Sequence, residues 1–411
     1  MTKGNVTVGR QKVSAAASDM VGLKSLTESF GATKPLKGIS VLVCVTPTPE
    51  TGVFLLTLHE LGAKIAACSD NIFASDDDVV AYIRGQGVSL AASSNMSNDE
   101  YFGAMEKAIA SVKNDKTVYI VDDGCDSTQY IAQHYPALLG KVKGIVEQTT
   151  CGVNFLKRLI DDGKVNVPAI DINHSFTKQW FDNKIGIQQS LIHSLTNARV
   201  SLPGKTVTVF GYGPIGQGAA KALRAIGAKV NIVESDIIAL MQAEMTGYTP
   251  VSAREALQTS DLCITTTGCV DTISADMIKK YAKSGITLGN IGHGREEYAV
   301  AYLEQVGKKE VVNEHIDAFT LEDGRVINSL CKGAIVNFLA GTGNMPRVMG
   351  ITFSLMVLAL LEMVKTPENM SIGLNRLSRE VELDSARRNF PHLEKLVTRL
   401  TPRQEKYLAQ N

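Results

Sequence analysis

The stretch that most limits what this chain can fold into is GKTVTVFGYGPIGQGAAKALRAIGAKVNIVE, Gly204 to Glu234. Its apolar run Thr206–Phe210 reads as a buried parallel strand. The turn Gly211-x-Gly213-x-x-Gly216 follows, and then a helical run from Pro214 to about Ile226 that stops at Gly227. A second strand, Lys229–Val233, ends on Glu234, 23 residues after Gly211 and near the roughly 20 of a dinucleotide fold. Each glycine has a physical task. Gly211 permits a tight turn, Gly213 lets the backbone approach a pyrophosphate, and Gly216 lets helix and strand pack closely. The helix N-terminus, with Pro214 and Ile215, faces the phosphates. Glu234 would accept hydrogen bonds from the adenosine ribose hydroxyls and repel a 2′-phosphate, so NAD is favoured over NADP.

The 411 residues suggest two domains, and 44% hydrophobic with 20% charged residues describes a globular protein with a sizeable core. The formal net charge is zero, so nothing suggests a nucleic-acid partner. The seven cysteines are scattered, without zinc spacing; they suit a reducing compartment and imply neither a disulfide framework nor a metal. The N-terminus lacks the apolar core of a signal peptide, and the apolar run Val348–Leu361 is too short to span a bilayer, so a buried core helix and a cytoplasmic protein are expected.

Apolar runs alternate with helical segments, which favours α/β. A helix is expected over Asp19–Phe30, behind a dozen residues without order. Strands are expected over Ile39–Val45, Lys64–Cys68, Val118–Val121, Val142–Val146 and Val167–Ile172, with helices between them. Several strands deliver polar residues at their C-terminal ends: Thr46-Pro47-Thr48-Pro49-Glu50-Thr51, Asp122-Asp123-Gly124, Glu147-Gln148-Thr149-Thr150-Cys151 and Asn173-His174-Ser175. In an open parallel sheet that is where ligands bind. A helix over Lys178–Ser201 leads into the glycine motif. Later strands end at Thr267-Gly268 and at Ile291-Gly292, both assigned to the cofactor side, and the second runs on into His293, assigned a catalytic role. After Pro346 the chain is expected to return to the first domain, and Arg376–Arg388 reads as a solvated helix face. The architecture expected is two doubly wound parallel-sheet domains. A Rossmann NAD-binding domain (186–343) is inserted into a discontinuous substrate-binding domain (1–185 and 344–411).

The stretches VPAIDINHSFTKQWFDN, GKTVTVFGYGPIGQG, CITTTGC and NIGH, in this order, resemble the S-adenosylhomocysteine hydrolase family over about Gly38–Leu408. The resemblance implies tightly held NAD. It also implies reversible oxidation of a nucleoside 3′-hydroxyl, elimination of the 5′-group, addition of water and re-reduction. By it, Lys178 matches the lysine that assists 3′-oxidation, where burial and a nearby cation would lower its pKa. Asp182 and Asn183 match the pair that follows it, and Asn173 an asparagine of the same site. Asp123 matches the acid that moves the C4′ and C5′ protons, and His293 the histidine of the Asn-Ile-Gly-His loop. Thr149, Thr150 and Cys151 fall where the family contacts the nicotinamide end, and Asn337 where it holds the carboxamide. Taken alone, Lys178 and Asp182 are also an ordinary i,i+4 ion pair, and Asp123 could merely shape its turn.

The chain departs from the family around the substrate. Thr46 stands where the family has a histidine for 5′ chemistry, and threonine does not titrate near neutral pH. Thr48, Glu50 and Thr51 are retained. Gln148 replaces a ribose-binding glutamate, Asn344 falls where the family has Gly-His-Pro-Ser, and the family's C-terminal tail is not matched. Three functions follow: hydrolysis of S-adenosylhomocysteine or a close 5′-thioether nucleoside; a biosynthetic relative that stops after elimination, for example 5′-dehydration to a 4′,5′-ene; or an NAD-binding regulator without catalysis. Lys178 and Asp123 argue against the third. A homodimer or homotetramer is expected, with a small-molecule nucleoside as the other partner.

Overall fold

The computed structural model describes residues 4–409. Six strands, β1 (Ser40–Cys44), β2 (Lys64–Cys68), β3 (Ser89–Ala91), β4 (Val118–Asp122), β5 (Val142–Glu147) and β6 (Pro168–Asp171), alternate with helices and pair in parallel. Eight more follow: β7 (Thr206–Phe210), β8 (Lys229–Val233), β9 (Thr249–Pro250), β10 (Leu262–Thr265), β11 (Thr287–Asn290), β12 (Lys308–Asn313), β13 (Ile316–Thr320) and β14 (Val326–Leu330). They form a second sheet, ordered β12-β13-β14-β11-β10-β7-β8-β9. The last strand, β15 (Gly373–Arg376), crosses back and pairs with β6, completing the order β15-β6-β5-β4-β1-β2-β3. Both sheets are parallel apart from β13, which runs against β12 and β14.

The strands form because continuous apolar runs are buried on both faces. All five residues of β1 and of β4 are buried. Side-chain caps start the helices between them: Thr48 caps Pro49–Glu60, Asp76 caps Asp77–Gly85, and Ser97 forms a capping box with Glu100 at Asn98–Val112. The helix Pro346–Lys365 is the spine of the first core. Phe353 stacks on Phe54 at 4.7 Å between ring centroids, and residues 355–361 are buried throughout. It is 20 residues long, so length and composition alone would let it cross a bilayer; its burial makes it a core helix.

Local differences from expectation have identifiable causes. The N-terminal segment is helical over Val6–Asp19, because Asn5 caps it and Gly9, Val13 and Ala16 pack inward; residues 1–3 lie outside the described residues. The expected helix Asp19–Phe30 is the second of this pair, Val21–Phe30. Lys178–Ser201 is not one α-helix: Lys178–Gly186 is π-helical, and an α-helix then runs over Ile187–Asn197. The segment expected to be a solvated face is the end of β15 and a helix, Arg379–Asn389, that buries Val381, Glu382, Ser385 and Asn389.

Candidate active site

The chain passes between the sheets twice, between β6 and β7 and between β14 and β15, and side chains of these two connections meet. Lys178 Nζ lies 2.7 Å from Asp182 Oδ2 and donates to Asn183 Oδ1 at 2.9 Å. Asn183 Nδ2 donates to Asn173 Oδ1 at 3.1 Å. Asp182 accepts from Thr352 Oγ1 at 2.6 Å and from Asn344 Nδ2 at 2.6 Å. Asn344 Oδ1 accepts from Ser190, whose hydroxyl also accepts from Asn337 Nδ2. The π-helical winding puts about one more residue into a turn than an α-helix does. Lys178, Asp182 and Asn183 are buried on it, while Trp180 stays exposed. The neighbour of Lys178 is a carboxylate.

A cavity of about 480 Å³ opens between the sheets. It is lined from the first sheet by Thr46, Thr48, Glu50, Thr51, Asp123, Gln148 and Thr149, and from the second by Ile215, Ile291, Gly292, His293 and Asn337. Lys178, Asp182, Asn183 and Asn344 line it at the crossings. Asp123 is held by Gln148 Nε2 at 2.6 Å. Burial pushes the Asp123 carboxyl up, while Lys178 and His293 pull it down. Its turn is shaped by Glu147, which accepts from the backbone N–H groups of Gly124 and Cys125. That clamp holds Cys125 at φ 64°. Thr51 Oγ1 donates to the Thr46 carbonyl at 2.7 Å, and burial raises Glu50, which has no ion-pair partner among the described residues.

The dinucleotide turn forms as the motif requires. Gly211 has φ 101°, and a Cβ at Gly216 would lie 2.0 Å from the Gly211 carbonyl oxygen. A Cβ at Gly213 would meet nothing within 4 Å, so the backbone before Pro214–Ala225 faces open space, and no side chain caps that helix. The Glu234 carboxylate accepts from the N–H groups of Tyr212, Ser235 and Asp236, which fixes it beside the turn. Thr267 and Gly268 form an exposed turn whose N–H groups donate to Glu297, as does the His293 N–H. At the other end of the groove Asn337 Oδ1 is buried and has no hydrogen-bond partner among the described residues. These features fit NAD: an open glycine face for a pyrophosphate, an acid for a ribose, and an orphan acceptor for a carboxamide.

Two of the expected residues stand outside the cavity lining. Thr150 is exposed at the start of the helix Thr150–Asp161 and does not line the cavity. Asn173 acts behind the cavity, through Asn183. Cys151 reaches the second sheet's turn, its Sγ 3.6 Å from the Gly268 carbonyl. Sequence reasoning missed Asp70, Tyr101, Asp126, Thr352, Ser190 and Glu297. Asp70 stands just past the end of β2, where the rule that found Asp123 could have found it. Glu297 and Thr352 carried no signal, because tertiary contact alone makes them partners.

Two open parallel sheets, one carrying a dinucleotide turn, with a polar cleft between them, define a two-part NAD-binding α/β protein. Residues 183–343 match the family model described as S-adenosyl-L-homocysteine hydrolase, NAD binding domain, and residues 3–136 match that of S-adenosyl-L-homocysteine hydrolase. The chain belongs to this family of NAD-dependent enzymes. Among solved structures, a dipicolinate synthase polypeptide from Bacillus halodurans is similar at 13% identity, with 80% of this chain and 99% of that one covered and a TM-score of 0.47. The corresponding dipicolinate synthase polypeptide from Bacillus subtilis is similar at 12% identity, with 81% and 98% covered and a TM-score of 0.44.

Proposed function

We propose that this protein oxidises the 3′-hydroxyl of a 5′-substituted nucleoside reversibly and uses the resulting ketone to expel the 5′-group. The observation that carries the reading is the cluster at the crossings. There a buried Lys178–Asp182 pair and Asn183 share one cavity with Asp123, Gln148 and His293. NAD supplies a hydride acceptor that can return the hydride. Lys178 takes the proton of the 3′-hydroxyl, with Asp182 and Asn183 holding its amine in place. Asp123 takes the C4′ proton, made acidic by the neighbouring ketone; burial raises its proton affinity, which suits a base. Gln148 keeps one amide hydrogen on Asp123 and leaves Oε1, buried and without a partner, to accept from a ribose hydroxyl. Thr48 and Glu50 face the base.

S-adenosylhomocysteine, or a close 5′-thioether, is the substrate that family membership favours. A second reading, elimination without rehydration, is favoured by one observation: Thr46, which cannot titrate, hydrogen-bonds to a carboxyl group, Asp70. We place the enzyme in the cytoplasm as a homodimer or homotetramer. The test is to mix the protein with adenosine and follow the NADH absorbance band. A band is expected, and its absence with every nucleoside tried would overturn the reading. Release of homocysteine from S-adenosylhomocysteine would decide for the hydrolase.

A further inference from the structure

Three carboxyl groups enter the cavity from the C-terminal ends of β2 and β4: Asp70, Asp123 and Asp126. Each is held by a neutral donor. Thr46 Oγ1 donates to Asp70 Oδ1 at 2.6 Å, Gln148 Nε2 to Asp123 at 2.6 Å, and the Tyr101 hydroxyl to Asp126 at 2.6 Å. Lys178 and His293 both act on Asp123, drawing its carboxyl down against burial. Burial and the Asp123 charge push Asp70 well up, and burial with its acidic neighbours pushes Asp126 up to about 7. Like charges this close do not all ionise together. Lys178 and His293 favour the ionised form of Asp123, while burial favours the protonated forms of Asp70 and Asp126. Different environments thus separate a base from an acid. Asp126 is fixed in the first turn of the helix Asp126–His134, whereas Asp70 lies on the loop after β2, with Oδ1 engaged by Thr46. That a polar ligand belongs here is supported independently by Gln148: it is 4% exposed, it lines the same cavity, and its Oε1 has no partner among the described residues.

We infer that Asp70 is the acid that protonates the group leaving C5′ of the nucleoside, and that this group leaves through an oxygen. The inference rests on the 3′-oxidation proposed above. A thiolate needs no proton to depart, since a free thiol has a pKa of about 8.5. Hydroxide does need one, because water is a far weaker acid than a thiol. In the step, Asp123 removes the C4′ proton, and that electron pair becomes the C4′=C5′ double bond. The C5′–O bond breaks with its pair going to oxygen, the Asp70 proton joins that oxygen, and water departs. Asp123 is left protonated and Asp70 ionised, and one proton transfer between these neighbours restores the start. No redox change accompanies the step.

The test compares Asp70→Asn with the wild type on adenosine and on 5′-chloro-5′-deoxyadenosine, whose chloride leaves without a proton. Asp70→Asn is expected to keep the NADH band with both nucleosides, which also certifies folding. It is expected to slow water loss from adenosine about 100-fold or more, the usual worth of a general acid, and to leave chloride release largely intact. Equal losses on the two nucleosides, or unchanged water loss, would overturn the role of Asp70. Release of homocysteine by a wild type that does not dehydrate adenosine would overturn the oxygen leaving group. Absence of the NADH band in the wild type would instead sink the 3′-oxidation beneath both.

Discussion

Asn344 Nδ2 donates to Asp182 Oδ1 at 2.6 Å, so the second connection between the sheets holds the first. The contact is close on both strands of the crossing, since a Cβ at Gly186 would lie 2.5 Å from the Asn344 amide. Asn344 also accepts from Ser190, so one side chain ties the π-helical turn to the helix that follows it.

Asn344→Ala removes a donor from a buried carboxylate. Leaving such a group short of a partner costs about 1–3 kcal/mol. Thermal unfolding of Asn344→Ala should therefore move to lower temperature. Asn344→Asp should be worse, because it sets a second carboxylate against Asp182. If Asn344→Asp were as stable as the wild type, the amide would not be holding Asp182.

Lys178→Met tests the centre of the network. It leaves the Asp182 carboxylate buried without its cation, a change that typically costs about 3–5 kcal/mol. The variant should unfold at markedly lower temperature and lose the NADH band with adenosine. Lys178→Met with Asp182→Asn should recover stability but not the band. A double variant that still oxidises adenosine would remove Lys178 from the chemistry.

Much of this was legible in the sequence, for a local reason. β2, β7 and β8 occupy the residues expected of them because buried parallel strands are continuous apolar runs between turn residues. Gly211 and Gly216 were legible because only glycine fits a φ of 101° or a carbonyl 2.0 Å away. The π-helical turn was not, because Lys178 and Asp182 pair at i,i+4 spacing and so satisfy an α-helical reading as well. β12 to β14 escaped for a different reason. β12 is exposed along nearly its whole length, so no apolar run marks it. Asp70 stood in an unremarked loop, and its meaning appeared only when the fold put Thr46 against it.

Asp126 sets a pH dependence. Burial, with Asp122 and Asp123 alongside and the Tyr101 hydroxyl pulling the other way, raises its carboxyl to about 7. An unfolded aspartate has a pKa of about 3.9. Between these values the folded chain binds the extra proton, so this group's contribution to stability falls as pH rises from about 4 to about 7. Asp126→Asn stays neutral and can still accept from Tyr101. Its melting temperature, relative to the wild type, should therefore rise more at pH 8 than at pH 5, a difference that thermal scans at the two pH values would read. An equal shift at both would show that Asp126 ionises normally.

The glycine turn offers a pair of alanine substitutions with opposite meanings. At Gly216 a Cβ would lie 2.0 Å from the Gly211 carbonyl oxygen, within the helix–strand contact itself, and backbone cannot yield cheaply there. Gly216→Ala should destabilise the fold even without cofactor. At Gly213 a Cβ meets no protein atom within 4 Å and φ is −68°, so alanine is tolerated by the backbone. What it fills is the space a pyrophosphate would occupy above the N-terminus of Pro214–Ala225. Gly213→Ala should melt like the wild type when both are stripped of NAD, yet gain far less from added NAD. Stabilisation by a ligand grows with the logarithm of its concentration over Kd, so about a tenfold loss of affinity removes about 1.4 kcal/mol of that gain. Equal NAD-dependent stabilisation of Gly213→Ala and the wild type would place the pyrophosphate elsewhere.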